Sequence, residues 1–165
     1  TVSDGVAVSA PAVVSITVTP LEGFDQWLES FSLVATASED SDGDTISNGI
    51  EFVIGGNPAN QPDLNLLPTV GVETADLDGN PGDEEYLVFS YRRTDLARDD
   101  LSTTILVEWS SSLVGTWSDT DGMVEQVTDG EGVDLVKVFI PRALAVNGRL
   151  FARLGVSIVT PTVSE

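Results

Sequence analysis

The sequence predicts an all-β chain, a sandwich of two antiparallel sheets with a short helical insertion. Two observations lead to this fold class. From residue 86 onward, segments rich in β-branched and aromatic residues alternate with Asp-Gly turns, at intervals typical of a β-sandwich. Between residues 21 and 62 the apolar spacing becomes helical and is followed by a dense acidic loop. A length of 165 residues fits one such domain with an appendage.

The predicted strands of residues 63–165 are apolar segments separated by turn residues. They cover 86–91, 104–110, 124–128, 135–140 and 150–156, with a brief strand around Val70 and Val72. Together with a strand in 13–18 they number about seven, which favours a sandwich of the immunoglobulin-like or jelly-roll type. Residues 63–165 are therefore taken as the β-sandwich unit.

Residues 1–20 form a separate N-terminal segment that ends at a proline. Val14, Ile16 and Val18 alternate with Val13, Ser15 and Thr17, so one face of the predicted strand is apolar. This strand is a possible assembly strand. It can close the sandwich of its own chain, or it can pair with the open sheet edge of a neighbouring copy.

Residues 21–62 are predicted to be a helix followed by a metal loop. Phe24, Trp27, Leu28 and Phe31 follow the i, i+3, i+4, i+7 spacing of an amphipathic helix over 24–34. After the loop, a short helix through Phe52 to Ile54 ends at the sequence Gly55-Gly56-Asn57-Pro58.

The acidic loop has the ligand spacing of a calcium site. Counting from Asp40 as position 1, side-chain oxygens stand at positions 1, 3, 5, 9 and 12, and position 7 offers a carbonyl. Glu51 at position 12 is the predicted bidentate ligand. The predicted ligand set is Asp40, Asp42, Asp44, Ile46, Asn48 and Glu51. Thr45 stands at position 6, where a glycine is usual, so we expect a positive φ there and a strained loop.

A second acidic turn repeats part of this spacing. Its candidate ligands are Asp76, Asp78, Asn80 and Asp83. No helix is predicted on either side of it, and no glutamate stands at position 12, so the alternative is a charged hairpin tip.

Composition excludes several classes of function. The net charge of −20 argues against binding to nucleic acid or to anionic membranes. The chain has no His and no Cys, which removes Ser-His-Asp and Cys-His catalysis, zinc sites of the usual N/S type and disulfides. No apolar run of about 18 residues predicts a membrane-spanning helix. We therefore expect a protein without enzymatic activity that binds Ca²⁺ through oxygen ligands.

Exposed tryptophans suggest an alternative role in binding carbohydrate. Trp117, beside Gly115 and Ser118, and Trp109 are the candidate ligand-binding residues, since sugar rings stack on exposed aromatic side chains. The competing interpretation is that both tryptophans anchor the core.

Three segments resemble parts of secreted bacterial proteins. The loop "DSDGDTISNGIE" resembles thrombospondin type 3 and EF-hand-like calcium loops, and residues 24–158 resemble the calcium-loop and β-sandwich modules at the C-terminal ends of large secreted bacterial surface proteins. Residues 1–20 resemble the last strand of bacterial immunoglobulin-like or cadherin-like repeats. The resemblance implies an extracellular structural module of a surface or fibre protein, with like subunits or neighbouring domains as partners. A carbohydrate-binding or anchoring module of a secreted polysaccharide-degrading enzyme is the alternative.

Overall fold

The computed structural model describes residues 23–60, 63–77, 79 and 82–159. The helices are α1 (Gly23–Ser30), α2 (Asn48–Ile54) and α3 (Asp95–Asp99), with single 3-10 turns at Leu64–Leu66 and Arg142–Leu144. The strands are β1 (Thr69–Ala75), β2 (Glu84–Thr94), β3 (Thr103–Ser110), β4 (Ser118–Asp119), β5 (Val124–Thr128), β6 (Val133–Pro141) and β7 (Phe151–Ile158).

The strands form two antiparallel sheets. One has four strands in the order β1-β2-β6-β5, and the other has three in the order β4-β3-β7. The register places Phe89 of β2 between Val70 of β1 and Val138 of β6. In the smaller sheet Val107 of β3 lies opposite Leu154 of β7. The chain is thus mostly β, in an arrangement consistent with the predicted sandwich.

The main core lies between the two sheets and the helices. Alternation along β2 and β6 sends one set of side chains inward, including the buried Phe89, Val138 and Ile140. Helix α2 adds three fully buried side chains, Phe52, Val53 and Ile54. A smaller apolar cluster around Tyr86, Val88 and Phe139 belongs to the opposite face of the four-stranded sheet.

Helix α2 packs against both β2 and β7, and so against both sheets. Side chains of β2 bind the carbonyls at its C-terminal end. Arg92 Nε donates to Ile54 O at 3.2 Å, and Thr94 Oγ1 donates to Phe52 O at 2.9 Å. A cation at this end also opposes the negative pole of the helix dipole. No helix in the described residues is long and apolar enough to cross a membrane.

The predicted strands of the sandwich are confirmed, with ends that shift by a few residues. β5 has the predicted bounds, whereas β2 extends from the predicted 86–91 to 84–94. The predicted helix over 24–34 is too long, because α1 ends at Ser30 and Ser32 has a φ of +59°. A left-handed residue cannot continue an α-helix. The strand predicted in 13–18 lies outside the described residues, and the division into 1–20, 21–62 and 63–165 stays a prediction.

The core of β6 gives a direct test of this packing. Ile140→Ala should lower the free energy of unfolding by about 3 kcal/mol, because it removes a fully buried side chain and leaves a cavity between the sheets. Leu135→Ala, in the same strand but 44% exposed, should change it by less than about 0.5 kcal/mol. Denaturant unfolding at fixed calcium measures both. Equal losses would contradict the assignment of Ile140 to the core.

Candidate metal centre

The acidic loop precedes α2 and is folded by its own carboxylates. Asp40 accepts backbone N–H groups from Gly43 at 2.8 Å, from Asp44 at 3.2 Å and from Thr45 at 2.9 Å. These bonds, the one from Thr45 first, lower the pKa of the Asp40 carboxyl below its usual value. Asp40 is therefore held as an anion at the head of the loop.

The next two carboxylates bind the backbone two residues further on. Asp42 Oδ1 accepts from Asp44 N at 3.1 Å, and Asp44 Oδ1 accepts from Ile46 N at 2.8 Å. Such side-chain turns fix the direction of each carboxylate. One oxygen from each of Asp40, Asp42 and Asp44 lies within 4.8 Å of the others. This group could hold a metal ion.

The positive φ predicted at position 6 of the loop is confirmed. Thr45 has a φ of +77°, the left-handed conformation expected at position 6. Ile46 is 6% exposed, and its buried side chain holds the loop against the domain. A β-branched residue at positive φ costs about 1–2 kcal/mol, which the surrounding bonds must offset.

Glu51 is the most unusual side chain of the region. It is 0% exposed on α2, and neither of its carboxylate oxygens forms a hydrogen bond within the part of the chain that the structure describes. Burial, and after it the negative charges of the neighbouring aspartates, raises the pKa of the Glu51 carboxyl to about 8. An isolated buried carboxylate is strongly unfavourable unless a cation or hydrogen-bond donors compensate it.

Asp63 is a fifth acid of the cluster, and the sequence spacing did not indicate it. Its backbone N lies 3.4 Å from Asp44 Oδ2, and its charge is one of those that raise the pKa of Glu51. The Asp63 carboxylate also accepts the backbone N–H of Asn57. The segment after α2 therefore folds back onto the loop, which gives Asp63 access to the same centre.

Gly56 makes this approach possible. A Cβ placed on Gly56 would lie 2.6 Å from Asp63 Oδ2 and 2.9 Å from the Glu51 Cβ. Only a residue without a side chain fits between these two acids. The adjacent Gly55 has a φ of +81° and ends α2, as the Gly-Gly terminator predicted.

Asn48 uses its side chain to brace the loop. Its Oδ1 accepts from Ser41 N at 3.2 Å, and its Nδ2 donates to Thr36 O at 3.0 Å. Its backbone N donates to Glu39 O at 2.8 Å. The bonds explain why an amide suits this fully buried position, and a direct contact of Asn48 with a metal stays a prediction.

The predicted second metal turn falls mostly outside the described residues. Asp78 and Asn80 are among the residues that are not described, and Asp76 and Asp83 are both exposed. Across the described ranges, only Asp40, Asp42 and Asp44 form a group of three acids close enough to share an ion.

Of the two candidate ligand-binding tryptophans, Trp109 lies on β3 of the smaller sheet and Trp117 immediately precedes β4. Trp109 is half-buried and packs against the main core. Trp117 is also half-buried, and the Arg153 guanidinium lies over its ring, 4.3 Å from the centroid. Arg153 Nε donates to Glu108 Oε2 at 2.8 Å as well, so it is held against one face of the indole.

The chain matches no model of a known protein family, no curated protein and no solved structure.

Gly56→Ala should destabilise the protein by about 1–3 kcal/mol, because the new methyl group overlaps Asp63 and the Glu51 side chain. The matched control is Gly71→Ala in β1, where an added Cβ meets nothing within 4 Å. Thermal melting of both variants beside the wild type measures the difference. Equal melting temperatures for Gly56→Ala and Gly71→Ala would contradict the close approach described for Asp63.

Proposed function

We propose that this chain is a non-catalytic structural module stabilised by calcium, with Ca²⁺ bound among Asp40, Asp42, Asp44, Glu51 and Asp63. The observation that carries the proposal is the buried Glu51 carboxylate, which has no hydrogen-bond donor in the described residues and faces other acids. A divalent cation is the group that would turn this repulsion into attraction.

The donor set favours calcium over other cations. Every candidate side-chain ligand is a carboxylate or an amide oxygen, which hard cations prefer, and the chain has no His or Cys to attract zinc or copper. Calcium accepts six to eight oxygens in irregular geometry and a bidentate glutamate, whereas Mg²⁺ keeps several waters in a strict octahedron. A buried glutamate among aspartates suits calcium better.

The ion would act as a clamp between parts of the fold. The cluster contains residues from the loop, from α2 through Glu51, and from the returning segment through Asp63. Since α2 packs against strands of both sheets, neutralising Glu51 would also stabilise the junction of the sheets. This is a structural role, and it requires no reacting group.

The proposed location is extracellular, on a surface or fibre protein, with like subunits or neighbouring domains as partners. Weak calcium sites of extracellular modules fill at about 10⁻⁴–10⁻³ M, which a strained loop would match. A net charge of −20 keeps such a module soluble and supports binding of cations.

We further propose that the sandwich is immunoglobulin-like. The constant-type immunoglobulin fold has one sheet in the order A-B-E-D and another in the order C-F-G. The order β1-β2-β6-β5 is compatible with A-B-E-D, and β3-β7 with C-F, leaving β4 as an extra strand beside C.

The alternative role in carbohydrate binding has less support. Arg153 lies over one face of Trp117, and Trp109 packs against the core, so the surface for stacking a sugar is reduced. Binding of a sugar to Trp117 would require stacking on the face of the indole ring opposite Arg153.

Calcium should raise the melting temperature, and Glu51→Gln should abolish most of that rise. At calcium 100-fold above its Kd, the wild type should gain about 2.7 kcal/mol, or about 5–10 °C. In chelator, Glu51→Gln should melt at or above the wild type, because the variant removes a buried carboxyl whose ionised form is compensated by no hydrogen-bond donor among the described residues. Scanning calorimetry in calcium and in EDTA measures both effects.

The control for this experiment is Glu29→Gln, an exposed acid of α1, which should keep the full calcium-dependent rise. Magnesium at the same concentration should produce a smaller rise. If the wild type melts at one temperature in calcium and in EDTA, the proposed calcium clamp is wrong.

Asp63→Asn should weaken calcium binding by about tenfold, equivalent to about 1.4 kcal/mol, because it removes one negative charge from the centre. Asp129→Asn, an exposed acid in the β5–β6 turn, should leave the affinity unchanged. Isothermal titration with calcium chloride compares the two. Equal affinities would remove Asp63 from the ligand set.

A further inference from the structure

We propose that residues 12–18 of the same chain bind as an extended strand in an apolar groove beside the outer edge of β7. The proposal adds a binding surface to the proposed immunoglobulin-like module and rests on that topology, but it does not depend on calcium.

The strand order of the smaller sheet predicts a further strand beside β7. If β3 and β7 correspond to C and F of the immunoglobulin fold, strand G belongs on the other side of β7. Within the described residues, β7 pairs with β3 alone. An edge of eight residues that has no neighbouring strand on its outer side among the described residues is a ready template for another strand.

A groove of about 390 Å³ lies at this side of the sandwich. Its walls include Ile46 and Ile50 from the calcium loop and α2, Phe89 from β2 and Leu154 from β7. Among the described residues that line it, Arg153 alone is charged, and its guanidinium contacts Glu108 and the ring of Trp117. The groove therefore suits an uncharged, apolar occupant.

The apolar surface continues from the groove along β1. Leu67 lines the groove and is 37% exposed, and Val70 beyond it is 61% exposed. Val70 is the partner of Phe89 in the antiparallel register, so both side chains point to the core face of the sheet. Val70 therefore lies on the core face of the sheet although most of its side chain is exposed.

The sequence of residues 12–18 fits that surface. Residues 5–20 contain no charged side chain, although the whole chain has a net charge of −20. Val14, Ile16 and Val18 give the predicted strand one apolar face for the groove. Main-chain hydrogen bonds to β7 would supply the remaining affinity, as in other strand-addition complexes.

The described chain begins at Gly23, close enough to the end of β7 for residues 12–18 to reach the groove. Gly23 packs against Asp100, and Thr103, just beyond Asp100, pairs with Ile158 at the end of β7. The ring of Phe24 also lies 5.6 Å from that of Phe52 on α2, the helix whose Ile50 lines the groove. Four residues lie between positions 18 and 23, and the five steps from one Cα to the next can span up to about 17 Å. The strand would then run parallel to β7.

Paired cysteines test this arrangement cleanly, because the chain contains no cysteine of its own. Leu67→Cys would be combined in turn with Val14→Cys, Ile16→Cys or Val18→Cys in the full chain, and oxidised at low concentration. At least one pair should form a disulfide within the monomer, seen by non-reducing electrophoresis and intact mass. Val127→Cys, 41% exposed on β5 at the opposite edge, replaces Leu67→Cys in the control and should not cross-link.

Three outcomes would overturn the proposal. They are no cross-link with any pair, equal cross-linking with Val127→Cys, and cross-links that form only between chains. The last result would assign the groove to the strand of a second copy. Melting in calcium and EDTA on the same samples reports the calcium clamp separately, so failure of one proposal is distinguishable from failure of the other.

A second measurement covers the case in which cysteine pairs disturb folding. Val70→Asp places a charge on the exposed apolar surface, and it should increase hydrogen exchange of residues 12–18 at least tenfold if they dock there. Val127→Asp should leave that exchange unchanged. Equal exchange in wild type and Val70→Asp would contradict docking at this groove.

Discussion

The burial of the Glu51 carboxyl among other acids is the constraint on which the rest of this region depends. A carboxylate with no exposed surface and no hydrogen-bond donor among the described residues is unfavourable by several kcal/mol as an anion. Every nearby acid adds to that cost. The same arrangement would become favourable if a cation took the place of hydrogen-bond donors, as proposed for calcium.

Helix α2 connects the Glu51 site to the packing of both sheets. The face of this helix that carries Phe52 and Ile54 belongs to the main core, and its C-terminal carbonyls bind Arg92 and Thr94 of β2. The helix therefore fills one part of the open side between the two sheets. The part it leaves is the groove beside β7, which shares Ile46 and Ile50 with the metal region.

Periodicity and ligand spacing predicted the strands, the loop and the left-handed Thr45, because these features are set by residues close together in sequence. Asp63 could not be found that way, since it reaches the centre only after the chain reverses at Gly55 and passes Gly56. The groove could not be predicted from the sequence either, because its walls come from segments far apart in the chain, from Ile46 to Leu154. The early end of α1 was missed because Ser32 carries no strong signal for a positive φ.

The position of Glu51 inside the core has a consequence for the rate at which an ion could be exchanged. Calcium sensors release their ion quickly because their ligands lie on loops that open to solvent. If Glu51 binds the ion as proposed, that ligand lies on a helix whose next three residues are fully buried, so release would require local unfolding of α2. Binding and dissociation would both be tied to opening of the core, so the ion would exchange slowly even at a weak site.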